Sequence, residues 1–201
     1  MQGLIFIPDI SGFTNFVKKI NINLGWKITR ELLIEIIDSN PLYLEISEIE
    51  GDAILFYKQG KPLEIPALMN GFQNIMKCFN NKYKELRDEY GIEAELSLKL
   101  IVHYGELSEF KIKGFNKLYG STVIEAHRLL KNGADHSSYI LITDAYLKAL
   151  NQDVEDIILP EWAHSEHESR LFDGLGIISF YYFHYLPQLP FLKRELEVKV
   201  A

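Results

Sequence analysis

Cysteine is nearly absent from this chain, since Cys78 is the only one among 201 residues. A single thiol excludes an internal disulfide and favours a reducing compartment. Apolar runs are short, and none approaches the roughly 18 residues that a membrane-spanning helix needs. No secretory signal precedes the first predicted strand. We therefore expect a cytoplasmic protein without a membrane partner.

Basic residues are in the minority, with 21 Lys and Arg against 28 Asp and Glu and a net charge of −7. A nucleic-acid surface needs a basic stripe that neutralises phosphates, so the composition argues against nucleic acid as a partner. The chain also lacks low-complexity tracts, internal repeats and a linker that would divide it. We expect a single domain over residues 1–201, which is long enough to bury a sizeable core.

The periodicity of apolar residues predicts the order β-α-β-β-α-β with further C-terminal elements. This order is typical of an α+β, ferredoxin-like core, in which helices pack on one face of an antiparallel sheet, here with an extra C-terminal helix and strands. Leu42, Leu44 and Ile46 are expected to point inward from their strand. The predicted strands are Gln2–Pro8, Leu42–Ile49, Ala53–Tyr57, Glu95–His103 and Glu106–Ile112 as a pair around Tyr104-Gly105, Tyr139–Ile142 and Gly176–Tyr185. The first predicted helix begins after Gly12. The other predicted helices are Trp26–Asp38, Ile65–Tyr90, Gly120–Lys131 and Thr143–Leu150.

A carboxylate ends the first predicted strand in the segment Phe6–Thr14, which reads FIPDISGFT. The strand end fixes Asp9, Gly12 follows, and a helix then begins. Backbone amides of Ser11–Thr14 lie near that helix N-terminus, where they can receive phosphate oxygens. An ordinary cap of the helix by Asp9 or Ser11 is the alternative.

A second aspartate, Asp52, lies at the tip of the predicted hairpin Glu48–Phe56. Turns of the Asp-Gly type are common in hairpins, so this segment alone is weak support for a site. If the hairpin lies beside the first strand, Asp9 and Asp52 converge. Two adjacent carboxylates repel each other but suit divalent metal ions, as in phosphoryl-transfer enzymes.

A glycine opens the third segment, Tyr119–Leu130, whose predicted helix carries Arg128. A guanidinium aimed at a pentavalent phosphorus would stabilise the charge that develops there. The alternative is a surface arginine paired with Glu125 one turn earlier.

Together the three segments resemble the catalytic domains of class III adenylate and guanylate cyclases. They occur in the order of that family over about residues 1 to 150, and Val102–Glu106 is similar to its strand-turn-strand. The resemblance implies a purine nucleoside triphosphate as substrate and two Mg²⁺ or Mn²⁺ ions bound by Asp9, Asp52 and the Ile10 carbonyl. The substrate-binding residues that it implies are Ser11, Gly12, Phe13, Thr14, Glu48 and Lys117.

In this family two chains pair head to tail and share each site. We therefore expect a homodimer in which Arg128 of one chain faces the phosphates held by the metal aspartates of the other. Ile124 stands where the family has a transition-state asparagine, and His127 beside Arg128 is the candidate catalytic residue to replace it.

The base pocket and the triphosphate site also depart from the family pattern. At the two purine-selecting positions of the family, Glu48 is the residue type that selects guanine, whereas Lys117 is not a residue type that the family usually has there. An ion pair between the two across the dimer interface would fill the base pocket. The late lysine of the family, which grips the triphosphate, has no counterpart in Phe172–Ile177, where Asp173 stands instead.

The residues leave two functions open. The chain is either a metal-dependent purine nucleotide-binding domain that can form a cyclic nucleotide and release pyrophosphate, or a catalytically degenerate regulatory or dimerisation module. A ferredoxin-like module unrelated to nucleotides would explain neither aspartate. His164–Glu168 contains metal-ligand residue types, but their spacing fits no zinc motif, and we expect a solvated loop without metal there.

Overall fold

The computed structural model describes residues 1–133, 137–153, 157 and 163–185. No helix within these ranges has the length and apolar character needed to cross a membrane. The strands are β1 (Gln2–Ser11), β2 (Glu45–Glu50), β3 (Ala53–Gln59), β4 (Ser97–Glu106), β5 (Ser108–Ile112), β6 (Phe115–Tyr119), β7 (Tyr139–Thr143), β8 (Ala163–Phe172) and β9 (Gly176–Tyr185). The helices are α1 (Phe13–Lys19), α2 (Ile22–Asp38), α3 (Ile65–Tyr90), α4 (Ser121–Leu129) and α5 (Asp144–Leu150).

Seven strands form one sheet in the order β2-β3-β1-β4-β7-β9-β8. The first four are the ferredoxin-like core, and β7, β9 and β8 extend it on one side, which confirms the predicted fold class. All pairings are antiparallel except that between β4 and β7. Strands β5 and β6 form a separate two-stranded hairpin.

The sheet buries apolar side chains on both faces, because β1, β3 and β4 alternate between two cores. Leu4 and Phe6 join the core beneath α1, α2, α3 and α5, whereas Ile5 and Ile7 join the core beneath α4. The helices of the ferredoxin-like core, α1, α2 and α3, therefore pack on one face as predicted, and α4, which follows that core, lies on the other face. Since side chains along a strand alternate with period two, Asp9 follows Ile5 and Ile7 onto the α4 face.

Two predicted strand assignments are wrong. The strand predicted at Leu42–Ile49 begins only at Glu45, and Ile46 is exposed rather than inward. The predicted pair around Tyr104-Gly105 is one continuous strand, β4, because that strand pairs with β1 along its whole length. The partner of β5 is β6, which the sequence did not predict.

The segment His164–Glu168 lies within strand β8 instead of a loop. It pairs with β9 at the outer edge of the sheet, where one side of the strand has no neighbour among the described residues. An edge strand can carry polar side chains on both faces, which is why the composition of this segment resembled that of a loop.

Candidate functional site

An open cleft of about 760 Å³ lies on the α4 face, where the ends of β1 and β2, the start of β3 and the start of α1 meet α4. Its lining brings together nearly all of the residues that the sequence singled out. Those residues are Asp9, Ile10, Ser11, Gly12, Phe13, Thr14, Glu48, Asp52, His127 and Arg128. Lys117 does not line the cleft but reaches it through its contact with Glu48.

The two aspartates converge, as predicted, because β1 pairs with β3. Asp9 lies opposite Ala53, and the Ile10 amide donates to the Asp52 carbonyl oxygen at 3.4 Å. Asp9 is only 9% exposed. Burial raises the pKa of Asp52 from 3.8 to about 7, and the charge of Asp9 and its hydrogen bond with Asp52 add to this rise. The charged form of Asp52 is therefore disfavoured in the cleft, and a bound cation would favour it.

Lys99 is a functional candidate that the sequence analysis missed. It stands directly opposite Asp9 in the β1–β4 register, and its ammonium lies 2.9 Å from Asp9 Oδ2 and 3.3 Å from the Leu130 carbonyl oxygen. Burial alone would lower the pKa of Lys99, but the Asp9 carboxylate outweighs it and raises this pKa. A lone lysine in the apolar run of β4 was the signal that could have revealed it.

The turn between β1 and α1 requires glycine at position 12. Gly12 has φ 86° and precedes the first residue of α1. A Cβ there would lie 2.3 Å from the Glu95 carbonyl oxygen, which is a backbone atom and cannot move aside cheaply. The glycine thus lets the chain turn sharply at the strand end, so that Ser11, Phe13 and Thr14 line the cleft beside Asp9.

Glu48 is held on both carboxylate oxygens at the other end of the cleft. Lys117 donates to Glu48 Oε2, and His127 Nε2 lies 3.3 Å from Oε1. The Nδ1 atom of His127 lies 3.7 Å from Glu50 Oε2. Burial would raise the pKa of Glu48, but Lys117 and His127 together lower it below 4.5. An ion pair between Glu48 and Lys117 therefore forms within one chain, whereas the sequence predicted it across a dimer interface.

Helix α4 presents Arg128 to the cleft. The alternative prediction, a surface arginine paired with Glu125, is not what the structure shows. Glu125 accepts a hydrogen bond from His103 Nε2 at 2.8 Å, and this bond lowers the pKa of Glu125. His103 is buried and also contacts Thr143 Oγ1 at 2.9 Å. Because Glu125 pairs with His103 of β4, it does not pair with Arg128, which lines the cleft. Ile124, on the same helix, is 54% exposed and offers no hydrogen bond there.

The donor set at Asp9 and Asp52 fits a hard divalent cation. The described ranges contain no group of three or more His, Cys, Asp or Glu side chains suited to a metal. Mg²⁺ nevertheless binds in many phosphoryl-transfer sites through one or two carboxylates, with phosphate oxygens and water as further ligands. Asp9, Asp52 and the neighbouring Ile10 backbone match the protein part of that pattern.

The fold is that of class III nucleotidyl cyclase catalytic domains. The adenylyl cyclase CyaB from P. aeruginosa superposes with a TM-score of 0.70 and 17% identity, covering 94% of this chain and 97% of that one. The guanylyl cyclase Cya2 gives a TM-score of 0.67 and 13% identity, covering 96% and 95%. At such low identity the likeness concerns the fold alone.

The chain belongs to the family described as "Protein of unknown function (DUF2652)", whose profile matches residues 29–139. A relative in Mycobacterium tuberculosis, the uncharacterised protein Rv2561/Rv2562, is 26% identical over 159 residues, covering 76% of this chain and 71% of its own length. The residues that match the family profile include Glu48, Asp52, Lys117 and Arg128, whereas Asp9 lies before the first matched residue.

Proposed function

We propose that the cleft binds a purine nucleoside triphosphate with Mg²⁺ or Mn²⁺, two ions per site, held by Asp9, Asp52 and the Ile10 carbonyl. The convergence of the two aspartates in one cleft carries this proposal, since burial and mutual repulsion raise the pKa of Asp52 to about 7. Lys99 already pairs with Asp9 in the metal-free chain, and a divalent ion would neutralise both carboxylates. The cyclase fold is consistent with this use of the site.

The reaction that suits this site is formation of a cyclic nucleotide. The ribose 3′-hydroxyl loses its proton to solvent, its oxygen bonds to the α-phosphorus, and the bond to the leaving pyrophosphate breaks. Bound metal would activate the attacking oxygen and neutralise the triphosphate. Arg128 would stabilise charge on the phosphorus, and the Lys99 ammonium would contact phosphate oxygens once metal replaces it at Asp9. Ser11, Gly12, Phe13 and Thr14 would border the triphosphate.

A head-to-tail homodimer would complete the site, with Arg128 and His127 of one chain facing the nucleotide held by Asp9 and Asp52 of the other. Exposed apolar side chains support a partner on this face. Ile124 borders the cleft, and the β5–β6 hairpin beside it exposes Phe110, Ile112, Phe115 and Tyr119. Surfaces of this kind mark interfaces in soluble proteins.

A second candidate function is a regulatory or dimerisation module that has lost catalysis. Ile124 supports it, because isoleucine cannot donate a hydrogen bond where the cyclase pattern has asparagine. Removing one transition-state donor commonly costs about a hundredfold or more in rate. Asp173 supports it too, since the hairpin that carries the late lysine in cyclases has an acid here.

Calorimetric titration of ATP and GTP with Mn²⁺ tests the proposal. The wild-type chain should bind nucleotide only when Mn²⁺ is present, and Asp9→Asn should abolish this binding. Asp38→Asn is the matched control, because Asp38 is an exposed aspartate at the end of α2 and should leave binding unchanged. Equal binding by wild type and Asp9→Asn would refute the metal site.

A product assay separates the two functions once binding is established. Cyclic nucleotide that accumulates in proportion to wild-type protein, and that an Asp52→Asn preparation does not form, would exclude the non-catalytic module. Binding without product would favour that module.

A further inference from the structure

Glu125 and Arg128 stand on helix α4 at a spacing that favours an ion pair, and the structure does not form that pair. Glu125 Oε2 lies 2.8 Å from His103 Nε2 instead, whereas Arg128 is exposed and lines the cleft. The Glu125 side chain is 26% exposed, so it lies at the edge of the contact between α4 and β4. The carboxylate therefore has a potential partner on each side, and His103 is the one that holds it.

His103 is buried, and each of its two ring nitrogens has a partner. Nδ1 lies 2.9 Å from Thr143 Oγ1, and Nε2 faces the Glu125 carboxylate. The hydrogen bond from His103 is the largest cause that lowers the pKa of Glu125 below 4.5, so Glu125 is charged at neutral pH. A charged carboxylate only accepts hydrogen bonds, so Nε2 carries the ring hydrogen and Nδ1 of the neutral ring accepts from the Thr143 hydroxyl. Thr143 thereby favours the tautomer that Glu125 needs.

The first turn of α4 is held to β4 independently of His103. Thr122 Oγ1 donates to the Glu106 carbonyl oxygen at 2.7 Å, and Ala126 is buried on the same side of the helix. Loss of the bond from His103 should therefore release the Glu125 side chain without detaching the helix.

We infer that His103 is a positioning residue, which holds Glu125 against β4 and so keeps Arg128 available to the cleft. This inference rests on the proposed function, in which Arg128 faces the phosphates. Without the donor of His103, Glu125 is a partly buried carboxylate that has lost its partner, and Arg128 is the cation one turn further along the same helix. A pair between the two would use the guanidinium hydrogens and the positive charge that the phosphates require.

Chemical modification of Arg128 tests the inference without any nucleotide. Phenylglyoxal modifies exposed guanidinium groups, and a paired carboxylate slows the reaction because it favours the charged form of the guanidinium. His103→Leu should slow modification of Arg128 several-fold by mass spectrometry, whereas Arg87, an exposed arginine of α3, should react equally in both proteins. His103→Gln, whose amide can still donate to Glu125, should react like the wild type. An unchanged rate at Arg128 in His103→Leu would overturn the inference.

A second substitution separates positioning from packing. The double variant with His103→Leu and Glu125→Gln should regain the wild-type rate at Arg128, because glutamine has no charge to pair with the guanidinium. Packing damage caused by His103→Leu would not be repaired by a change at Glu125, so a double variant that stays slow would contradict the positioning role. If His103→Leu does not fold, His103→Phe keeps a ring without the donor and gives the same comparison.

Calorimetry of ATP and GTP with Mn²⁺ connects His103 to the proposed site. His103→Leu should weaken nucleotide binding roughly tenfold, the value of one hydrogen bond to a charged group, and Glu125→Gln in the same chain should restore it. Recovery of the modification rate without recovery of binding would refute the link to the nucleotide site. Absence of binding by the wild type would refute the proposed function, whereas the modification rates would still decide whether His103 controls the pairing of Arg128.

Discussion

Replacing Asp52 with asparagine should stabilise the metal-free protein at high pH and leave its stability nearly unchanged at low pH. The pKa of Asp52 rises from 3.8 to about 7 on folding. Between these values the native state keeps a proton that the unfolded state loses, so the wild-type free energy of unfolding falls as pH rises. Above the folded pKa the penalty is complete, and asparagine, which carries no charge, avoids it.

The size of the effect follows from the shift in pKa. Each tenfold change in a protonation constant is worth about 1.4 kcal/mol, which sets an upper limit of about 4 kcal/mol for Asp52. The side chain is partly open to the cleft, and solvent screening should reduce the gain to about 1–2 kcal/mol. A gain of this size is large beside a typical domain stability of about 5–15 kcal/mol.

Urea unfolding in the presence of a chelator measures the difference between variant and wild type at about pH 4 and about pH 8. Asp38→Asn serves as the control for the substitution itself, because Asp38 is exposed and does not line the cleft. If Asp52→Asn is neutral or destabilising at the higher pH, then burial and the neighbouring Asp9 charge do not disfavour the charged form of Asp52 as the geometry requires.

Three further substitutions test other parts of the site. Lys99→Met should tighten Mn²⁺ binding several-fold in the absence of nucleotide, because the ammonium no longer competes for Asp9. The same variant should weaken nucleotide binding roughly tenfold by calorimetry, and tighter nucleotide binding would contradict a contact between Lys99 and phosphate. Phe115→Asp should weaken the proposed dimer at least about tenfold in sedimentation experiments, since Phe115 is 71% exposed beside the cleft. Leu171→Asp, at the edge of the sheet formed by β8, should leave the dimer unchanged. Gly12→Ala should lower the free energy of unfolding in urea by about 3 kcal/mol, against about 1 kcal/mol for Gly91→Ala. Both glycines have positive φ, but only Gly12 faces a backbone atom. Equal losses would mean that the turn can accommodate a Cβ at position 12.

Local patterns in the sequence were sufficient to predict the helix Ile65–Tyr90 and the strand Gly176–Tyr185. The first is a long amphipathic repeat that ends at a glycine, and the second is an apolar aromatic run. The meeting of Asp9 with Asp52 was predicted only on the condition that the hairpin lies beside the first strand, and the pairing of β1 with β3 fulfils that condition. Strand β6 escaped prediction because five residues with mixed polarity give no clear period.

The contacts that local patterns could not give are those between distant segments. Lys99 meets Asp9 only because of the register between β1 and β4, and that register is a property of the folded sheet. His127 and Glu48 are 79 positions apart and meet because α4 crosses the face beneath the β2–β3 hairpin. Without the topology, a role for His127 could be predicted only from its neighbour Arg128, and that prediction was a catalytic role at the phosphorus.

Strand β1 is hydrogen-bonded to a neighbour on each side, and this has a consequence for how the two halves of the site fluctuate. Separating Asp9 from its surroundings requires breaking both pairings, so the amide hydrogens of β1 should exchange with solvent only on global unfolding. Helix α4 has no strand pairing of this kind, and side chains such as Thr122 and Glu125 hold it to β4. The aspartate half of the site is therefore fixed by main-chain pairing and should lose little entropy when a ligand binds.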